Sequence, residues 1–183
     1  MAHPQGRGRE FEKRIEATFP FYAKAHIARL AAMPLPTRPV GLRDGRPAFT
    51  ITGKPPFDVY GYLVAGGRMV GAELKSSQRA TRLPIVPPGS KGNGLQFHQL
   101  DALAGLAQAG GLARVVWDNG GELGVLLGSE IINVWRVYEH VLKSQASGKD
   151  VAPGARSIEW DKFVQPGSTE IAVPVDWLMS CRQ

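Results

Sequence analysis

The chain has 183 residues, of which 43% are hydrophobic, so its length and composition predict a single globular domain with a sizeable core. It lacks a run of about 18 apolar residues, which excludes a membrane-spanning helix, and its first residues carry Arg7, Arg9 and Glu10 rather than the apolar segment of a secretory signal. Cys181 is the single cysteine, which excludes an internal disulfide and a thiolate metal cluster, and we expect a cytoplasmic protein.

Positive charge is concentrated in the first part of the chain. The formal net charge is +6, but residues 1–100 hold 15 Lys and Arg against 6 Asp and Glu, whereas residues 101–183 hold 7 against 10. Lysines and arginines that contact a phosphate backbone give an affinity that depends on salt, so this distribution favours a polyanionic partner such as DNA. For any one of these side chains, a solvated charged surface is the alternative.

Two helices are predicted near the N-terminus. Residues 8–18 carry an apolar stripe at helical spacing, and the stripe ends at Pro20. It consists of Phe11, Ile15 and Phe19. Glu12 and Glu16 lie beside the stripe, so either carboxylate can point inward or into solvent. Residues 21–32 are rich in alanine and predict a second helix, or a continuation of the first helix after a proline kink.

A segment rich in Pro, Gly and Arg leads to the most informative part of the chain. Residues 34–54 have the composition of an exposed loop, with strand-like residues at 48–52. The next residues, 60–64 and 69–75, have the β-branched and aromatic character of strands. Gly66-Gly67 between them signals a tight turn, because glycine adopts a positive φ at little cost. This pattern predicts a β-hairpin.

The predicted hairpin brings three charged side chains together. In an ideal two-residue hairpin Asp58 lies across from Lys75, and alternation of side chains then places Glu73 on the same face. The opposite, buried face is predicted to carry Val70, Ala72 and Leu74. Cβ atoms are roughly 5 Å apart in opposed pairs and roughly 7 Å apart in diagonal pairs, so the two carboxylates can share one divalent cation.

Two carboxylates and a lysine at this spacing suit phosphodiester hydrolysis. A hard cation on oxygen ligands neutralises developing charge and lowers the pKa of a bound water. Lys75 can position that water or stabilise the pentavalent phosphate. The alternative is a cross-strand ion pair between Asp58 and Lys75 with Glu73 solvated, since such strings are common by chance. The position of the match, across a hairpin and after Pro55-Pro56 in a basic half-chain, favours the metal site.

The remainder of the chain alternates helices and strands. A flexible basic loop is predicted over 76–94, followed by a helix over 95–109 that Gly110-Gly111 closes. Strands 112–117 and 123–127 are predicted to form a hairpin. A helix capped by Ser129 is predicted over 129–147, and an edge strand over 171–175. His98 has no second histidine at a spacing that suits zinc. Trp135 and Trp177 are predicted to be core or interface aromatics.

These residues carry a resemblance to a known family. The motif Pro56, Asp58, Glu73, Leu74 and Lys75 resembles the PD-(D/E)xK nuclease core, and its surroundings resemble the RecU-type Holliday junction resolvases. The supporting pieces, in order, are Gly8-Arg9-Glu10-Phe11-Glu12, Ile27, Pro34, Pro36, Leu83-Pro84, His98-Gln99, Gly111, Val134-Trp135 and Ser157-Ile158. The chain departs from the family after Asp58, where it has Val-Tyr-Gly instead of Tyr-Asn-Gly, and after Lys75, where it has Ser-Ser instead of Glu-Thr.

The resemblance implies a fold and a metal site. The fold is α/β, a PD-(D/E)xK nuclease-like core with a central mixed β-sheet flanked by helices, in a single nuclease domain over 1–183. Asp58, Glu73 and the backbone carbonyl of Leu74 would bind Mg²⁺, with Mn²⁺ able to substitute. Lys75 would assist the water or the phosphate, and Glu12 would complete the acidic set.

The resemblance also implies a substrate. The protein would be a metal-dependent endonuclease that cleaves branched DNA, resolving Holliday junctions by paired symmetric nicks, which requires a two-fold homodimer. It would be cytoplasmic and encoded by a bacterium or a phage, with residues 34–54 as a basic stalk that enters the junction. The predicted DNA contacts are Gln99, Arg7, Arg9, Lys13, Arg38, Arg43, Arg46, Lys54, Arg79, Arg82 and Lys91. A restriction- or repair-type nuclease on the same core and a non-catalytic DNA-binding protein are the alternatives.

Overall fold

A five-stranded mixed sheet forms the centre of the protein. It is seen in a computed structural model that describes residues 4–43, 46–147, 156–165 and 177–178. In spatial order the strands, numbered along the chain, are β1 (Ala28–Ala32), β4 (Val59–Leu63), β5 (Met69–Ser77), β8 (Leu112–Asn119) and β9 (Glu122–Leu127). Strands β5 and β8 are parallel, and the other neighbours are antiparallel. The two parallel strands are buried along most of their length, as parallel strands covered on both faces usually are.

Helices cover both faces of this sheet. Helices α1 (Pro4–Glu16) and α2 (Phe19–Lys24) pack on one face, and α3 (Phe97–Gln108) and α4 (Gly128–Ala146) pack on the other. Each helix buries its apolar stripe against the alternating side chains of the strands. The predicted α/β fold with a central mixed sheet flanked by helices is therefore confirmed.

The first core cluster lies between the sheet and the N-terminal helices. Phe11 and Ile15 of α1 are buried in it, as the apolar stripe predicts. Trp177 is also buried there, where its indole N–H donates to Thr18 Oγ1 at 3.1 Å and its ring meets the Tyr22 ring edge-on. The prediction of Trp177 as a core aromatic is confirmed. Trp135 on α4 packs at the edge of the opposite cluster, and its indole N–H donates to Asp101 at 2.9 Å.

The prediction of helix over residues 21–32 is wrong for its second half. Helix α2 ends at Lys24, the backbone turns at His26 with φ of 54°, and Ala28–Ala32 forms strand β1. Pro20 lies in the first turn of α2, where its missing N–H costs no helical hydrogen bond. Strand β1 forms because β4 offers it a complete antiparallel ladder, and tertiary pairing outweighs the helix propensity of alanine.

Residues 34–54 form a two-stranded ribbon rather than a loop. Strands β2 (Thr37–Arg43) and β3 (Arg46–Ile51) pair with each other in a separate two-stranded sheet. The strand-like stretch at 48–52 is thereby confirmed, and its partner was missed. Most of the ribbon's described side chains are exposed, including Val40, Phe49 and Ile51, and Thr50 is half-buried.

The predicted flexible loop over 76–94 is wrong for much of its length. Strand β6 (Arg82–Val86) lies inside it and forms a three-stranded sheet with β7 (Leu95–Gln96) and β10 (Ser157–Glu159). Buried Leu83 and Ile85 explain this, because they alternate with exposed residues and pack against α3 and α4.

The second half of the chain otherwise follows the prediction. Helix α3 ends before Gly110, which has φ of 84°, and β8 and β9 form a hairpin closed by Gly120 and Gly121, both at positive φ. Helix α4 has Leu127, and not Ser129, at its N-cap. The predicted edge strand at 171–175 and Cys181 lie outside the described residues. Among the described helices none is long and apolar enough to cross a membrane.

Candidate active site

The β4–β5 hairpin places the predicted acidic residues, but in a different register. A loop longer than two residues joins the strands, and the Leu63 N–H donates to the Arg68 carbonyl at 2.8 Å across its base. Val59 therefore pairs with Ala72, two residues away from the register of an ideal two-residue turn. A shift of two residues preserves which side chains share a face, whereas a shift of one would exchange the faces.

Asp58 sits immediately before β4 and is held by backbone groups on both sides. Its N–H donates to the Ala72 carbonyl at 3.0 Å, and its carbonyl accepts from the Met33 N–H at 2.7 Å. Its carboxylate turns toward β5, where Oδ2 accepts from the Leu74 N–H at 2.8 Å. The Asp58 carboxylate is thus fixed beside the middle of the neighbouring strand.

Glu73 is the buried centre of the cluster. Its side chain is 1% exposed, and its Oε1 lies 2.6 Å from Lys75 Nζ. The same oxygen accepts from Gln99 Nε2 at 2.6 Å. Its other oxygen, Oε2, is buried without a hydrogen-bond donor. A buried carboxylate oxygen without a donor is costly, and such a group in a native site calls for a proton or a cation.

The environment of Glu73 changes its acidity. Burial raises the pKa of Glu73 from 4.5 to about 8, against the opposing effect of the Lys75 ammonium. The charge of Asp58 raises this pKa further. Without a cation, burial therefore favours the protonated form of Glu73, and the Lys75 ammonium opposes it.

Side chains supply only some of the oxygen ligands that a hard divalent cation needs here. Asp58 and Glu73 supply two neighbouring carboxyl groups, and Glu73 Oε2 is available to a ligand. Among the described residues, no group of three or more His, Cys, Asp or Glu side chains is placed to hold a metal ion. Magnesium commonly uses one or two carboxylates and fills its other positions with water or substrate oxygens, so two carboxylates are compatible with it.

Glu12 lies at the margin of the cluster. Partial burial raises its pKa, and the nearby charges of Asp58 and Glu16 raise it further, while Lys75 and Arg9 lower it. These interactions place the α1 carboxylate near the Asp58 side of the site. Much of the Glu12 surface is nevertheless exposed to solvent, and its predicted place in the outer acidic set stays a prediction.

Gln99 contacts the site from α3. Its Nε2 donates to Glu73, and its Oε1 accepts from the Gln96 N–H at 2.9 Å within a capping box at the start of the helix. Both ends of the amide are engaged and the residue is buried, so Gln99 orients Glu73. Its predicted contact with DNA stays a prediction.

His98 was given no role from the sequence, yet it lies close to the site. Burial lowers its pKa, and the neighbouring positive charges of Lys54 and Lys75 lower it further. The electrostatic effects of Lys54 and Lys75 show that the imidazole is within range of both ammonium groups. Its position next to Gln99 in the helix was the available signal.

The other predicted DNA contacts are distributed over the surface. Arg7 lies beside a cleft of about 310 Å³, and Arg9, Lys13, Arg38 and Lys91 are exposed. The side chains of Arg43 and Arg46 lie outside the described residues. Arg79 and Arg82 line a cleft of about 720 Å³ beyond the end of β5, where Arg82 also pairs with Glu159 at 2.6 Å. The structure thus gathers Asp58, Glu73, Lys75 and Gln99, whereas the predicted arginines whose side chains are described lie at several places on the surface.

Sequence reasoning missed two exposed tyrosines beside this cluster. Tyr60 and Tyr62 alternate along β4, starting two residues after Asp58, and both rings are exposed. The period-two aromatic pattern next to Asp58 was the signal that could have found them.

The chemical character of this cluster is defined by its own residues. Comparison with protein-family models and with curated protein sequences finds no match for this chain. A functional assignment therefore depends on the carboxylates of Asp58 and Glu73, on Lys75 and on what surrounds them.

Proposed function

We propose that this protein is a metal-dependent DNA endonuclease with a PD-(D/E)xK core. The observation that carries the proposal is the pairing of Asp58 with a buried Glu73 that has one oxygen without a donor, next to Lys75 at 2.6 Å. Placing the half-buried Asp58 carboxyl group beside the buried one of Glu73 is unfavourable unless a proton or a cation lies between them, so the arrangement is typical of a functional site.

The chain's own residues define the roles in this proposal. Asp58 and Glu73 would hold Mg²⁺, together with the Leu74 carbonyl, and the Leu74 N–H keeps the Asp58 carboxylate in place. A bound Mg²⁺ supplies neutralisation of phosphate charge and acidifies a water molecule. Lys75 offers an ammonium group to the phosphate as negative charge accumulates on it. Gln99 keeps Glu73 oriented toward the cation.

Branched DNA is the proposed substrate, cut by a homodimer. Support comes from the resemblance to RecU-type resolvases and from the β2–β3 ribbon, whose described side chains include Arg38. A ribbon whose described side chains are largely exposed has room to enter the open centre of a four-way junction. Phosphates there are arranged differently from those of a duplex.

Cleavage assays test the proposal. Labelled four-way junction, duplex and single-stranded DNA are incubated with the protein, with and without Mg²⁺. We expect Mg²⁺-dependent cleavage that Asp58→Asn and Glu73→Gln each abolish, while both variants still bind the junction, because neutralising a ligand leaves the basic surface intact. Glu139→Gln, which alters a carboxylate on α4 away from the site, serves as the matched control.

The outcomes separate the alternatives. Normal cleavage by either Asp58→Asn or Glu73→Gln overturns the metal-site proposal. Preference for duplex over junction identifies a restriction- or repair-type nuclease on the same core. Binding without cleavage under every metal tried identifies a DNA-binding protein without catalysis.

A further inference from the structure

Part of the central sheet has none of the described helices over it. On the α3 side, pairing places Ala31, Tyr60 and Gly71 in one row across β1, β4 and β5, and Arg29, Tyr62 and Met69 in the next row. Tyr60 is 37% exposed, Tyr62 49% and Met69 47%. These side chains line a cleft of about 540 Å³. We call Arg29, Tyr60, Tyr62 and Met69 the β4 platform.

Helix α3 covers the sheet only as far as β5. The side chains of Leu106 and Phe57 lie over Gly71, so closely that a Cβ on Gly71 would contact both. The next strand outward, β4, therefore begins the uncovered area. Two tyrosines and a methionine left exposed together form an apolar surface of the kind that marks a binding site.

The platform is continuous with the candidate active site. Tyr60 pairs with Gly71, which is two residues before Glu73 on β5, so the Tyr60 ring and the Glu73 side chain share one face of the sheet. Asp58 precedes Tyr60 by two residues, a distance of about 7 Å along a strand. A DNA strand that reaches the carboxylates therefore passes next to the tyrosines.

The chemistry of the platform fits DNA bases. Tyrosine rings stack on bases, and an arginine beside them adds cation–π and phosphate contacts. No Asp or Glu among the described residues lines this cleft, so nothing there repels a polyanion. The platform also belongs to the half of the chain that carries the excess positive charge.

The spacing of the rings indicates an unpaired strand. Tyr60 and Tyr62 are about 7 Å apart along β4, roughly twice the 3.4 Å rise per base along one strand of a duplex. Stacked duplex bases cover each other's faces and cannot each meet a ring. We propose that the β4 platform stacks unpaired DNA bases beside the cleavage site, so that the enzyme acts where a branched substrate exposes unpaired bases next to the scissile phosphate. This inference rests on the proposed nuclease function for the cleavage part only.

Binding of a labelled oligothymidine to the full-length protein tests the platform. Fluorescence anisotropy is measured in EDTA, so that no cleavage occurs. We expect Tyr60→Ala with Tyr62→Ala to weaken binding of the oligothymidine by about 5- to 100-fold per ring, and to weaken binding of a duplex of equal length much less. Tyr60→Phe with Tyr62→Phe should bind like the parent chain, because the rings are kept. Phe21→Ala, which removes an exposed ring on the opposite face of the sheet, is the matched control.

Each result decides the matter. The platform proposal is wrong if the alanine variant binds oligothymidine as the parent does, or if its affinity falls equally for oligothymidine and duplex. If the alanine variant instead changes the oligomeric state with no change in oligothymidine binding, this face is an interface between copies of the chain, and the proposal is wrong. The phenylalanine variant guards against misfolding, since its rings fill the same space.

The experiments distinguish a wrong platform proposal from a wrong nuclease proposal. If the protein binds oligothymidine through the tyrosines but cuts no DNA, the platform stands and the nuclease proposal fails. Suppose instead that the parent protein cuts DNA, and that the alanine variant has the same ratio of gapped to continuous duplex as the parent, in both binding and cleavage. The nuclease proposal then stands and the platform proposal is wrong.

Discussion

Glu73 is the residue whose acidity the fold changes most clearly. Its folded-state pKa of about 8 exceeds the ordinary 4.5, so between these values the folded chain holds a proton that the unfolded chain releases. The stabilising effect of that proton is fully present below about pH 4.5 and is lost as the pH rises through 8. We predict that the metal-free protein loses on the order of 3 kcal/mol of unfolding free energy between pH 5 and 8, or roughly 10 °C in Tm.

Thermal unfolding in EDTA at a series of pH values measures this effect. Glu73→Gln carries no proton to lose, so its Tm should change much less over the same range. Mg²⁺ added at pH 8 should raise the Tm of the parent protein but not that of Glu73→Gln, if the ion binds as proposed. Parallel pH profiles for the two proteins would show that Glu73 does not titrate in this window.

Gln99 is predicted to position Glu73 for the cation. Replacing Gln99 by leucine removes the 2.6 Å hydrogen bond to Glu73 Oε1, so we expect the Mg²⁺ concentration for half-maximal cleavage to rise about 10- to 100-fold. The same change removes one half of the α3 capping box. Gln96→Ala removes the other half without touching Glu73, and it should leave the Mg²⁺ requirement unchanged. An equal effect of both substitutions would assign Gln99 to helix capping alone.

At the scale of elements, the β2–β3 ribbon is predicted to supply junction affinity. Replacing Arg38, Arg43 and Arg46 together by alanine should weaken binding to a four-way junction more than binding to a duplex. The salt dependence should flatten by about one unit of log–log slope for each lost phosphate contact. Titrations at several salt concentrations measure this, with Arg136→Ala on α4 as control. An equal loss on both substrates would make the ribbon a general basic surface.

The pairing of β1 with β4 depends on Gly61. A Cβ at this position would overlap the backbone carbonyl oxygen of Arg29 on the neighbouring strand. Gly61→Ala should therefore lower the free energy of unfolding by about 2 kcal/mol or more. Gly105 lies in the interior of α3 with open space around it, so Gly105→Ala should raise that free energy by roughly 0.5–1 kcal/mol. Urea unfolding of both variants measures the difference, and similar values for the two would contradict the close approach.

At the scale of the whole molecule, paired cleavage of a junction requires two active sites. We predict a homodimer of about 40 kDa, twice the chain mass of 19.8 kDa, in sedimentation at low micromolar concentration. Both nicks should appear within the lifetime of one complex on a supercoiled cruciform plasmid, giving linear product. A monomer that yields only singly nicked plasmid would contradict paired cleavage.

The local sequence was enough to predict much of the fold. The stripe of Phe11 and Ile15, the helix closed by Gly110 and the hairpin closed by Gly120 and Gly121 all form as expected. Each depends on interactions within a few residues, namely helical periodicity or a glycine at positive φ. The central mixed sheet flanked by helices was predicted from the resemblance, and that part of the fold is confirmed.

The predictions that were wrong concern elements that depend on contacts between distant parts of the chain. Residues 28–32 form a strand because β4 lies beside them, although their alanines favour a helix. The register of β4 with β5 depends on a loop longer than the Gly66-Gly67 pair, so it shifted by two residues while the faces stayed as predicted. Strand β6 forms because Leu83 and Ile85 reach a core built mainly by α3 and α4.

Some features of the candidate site likewise follow from local sequence, and others follow from long-range packing. Local pattern is enough to bring Asp58, Glu73 and Lys75 together, because a hairpin with period-two alternation places them on one face whichever even register it adopts. Long-range packing of α3 over β5 is what buries Glu73, brings Gln99 to one of its oxygens and leaves the other oxygen without a donor. It also decided that Tyr60 and Tyr62 stay exposed, because that helix layer stops at β5 and leaves β4 open.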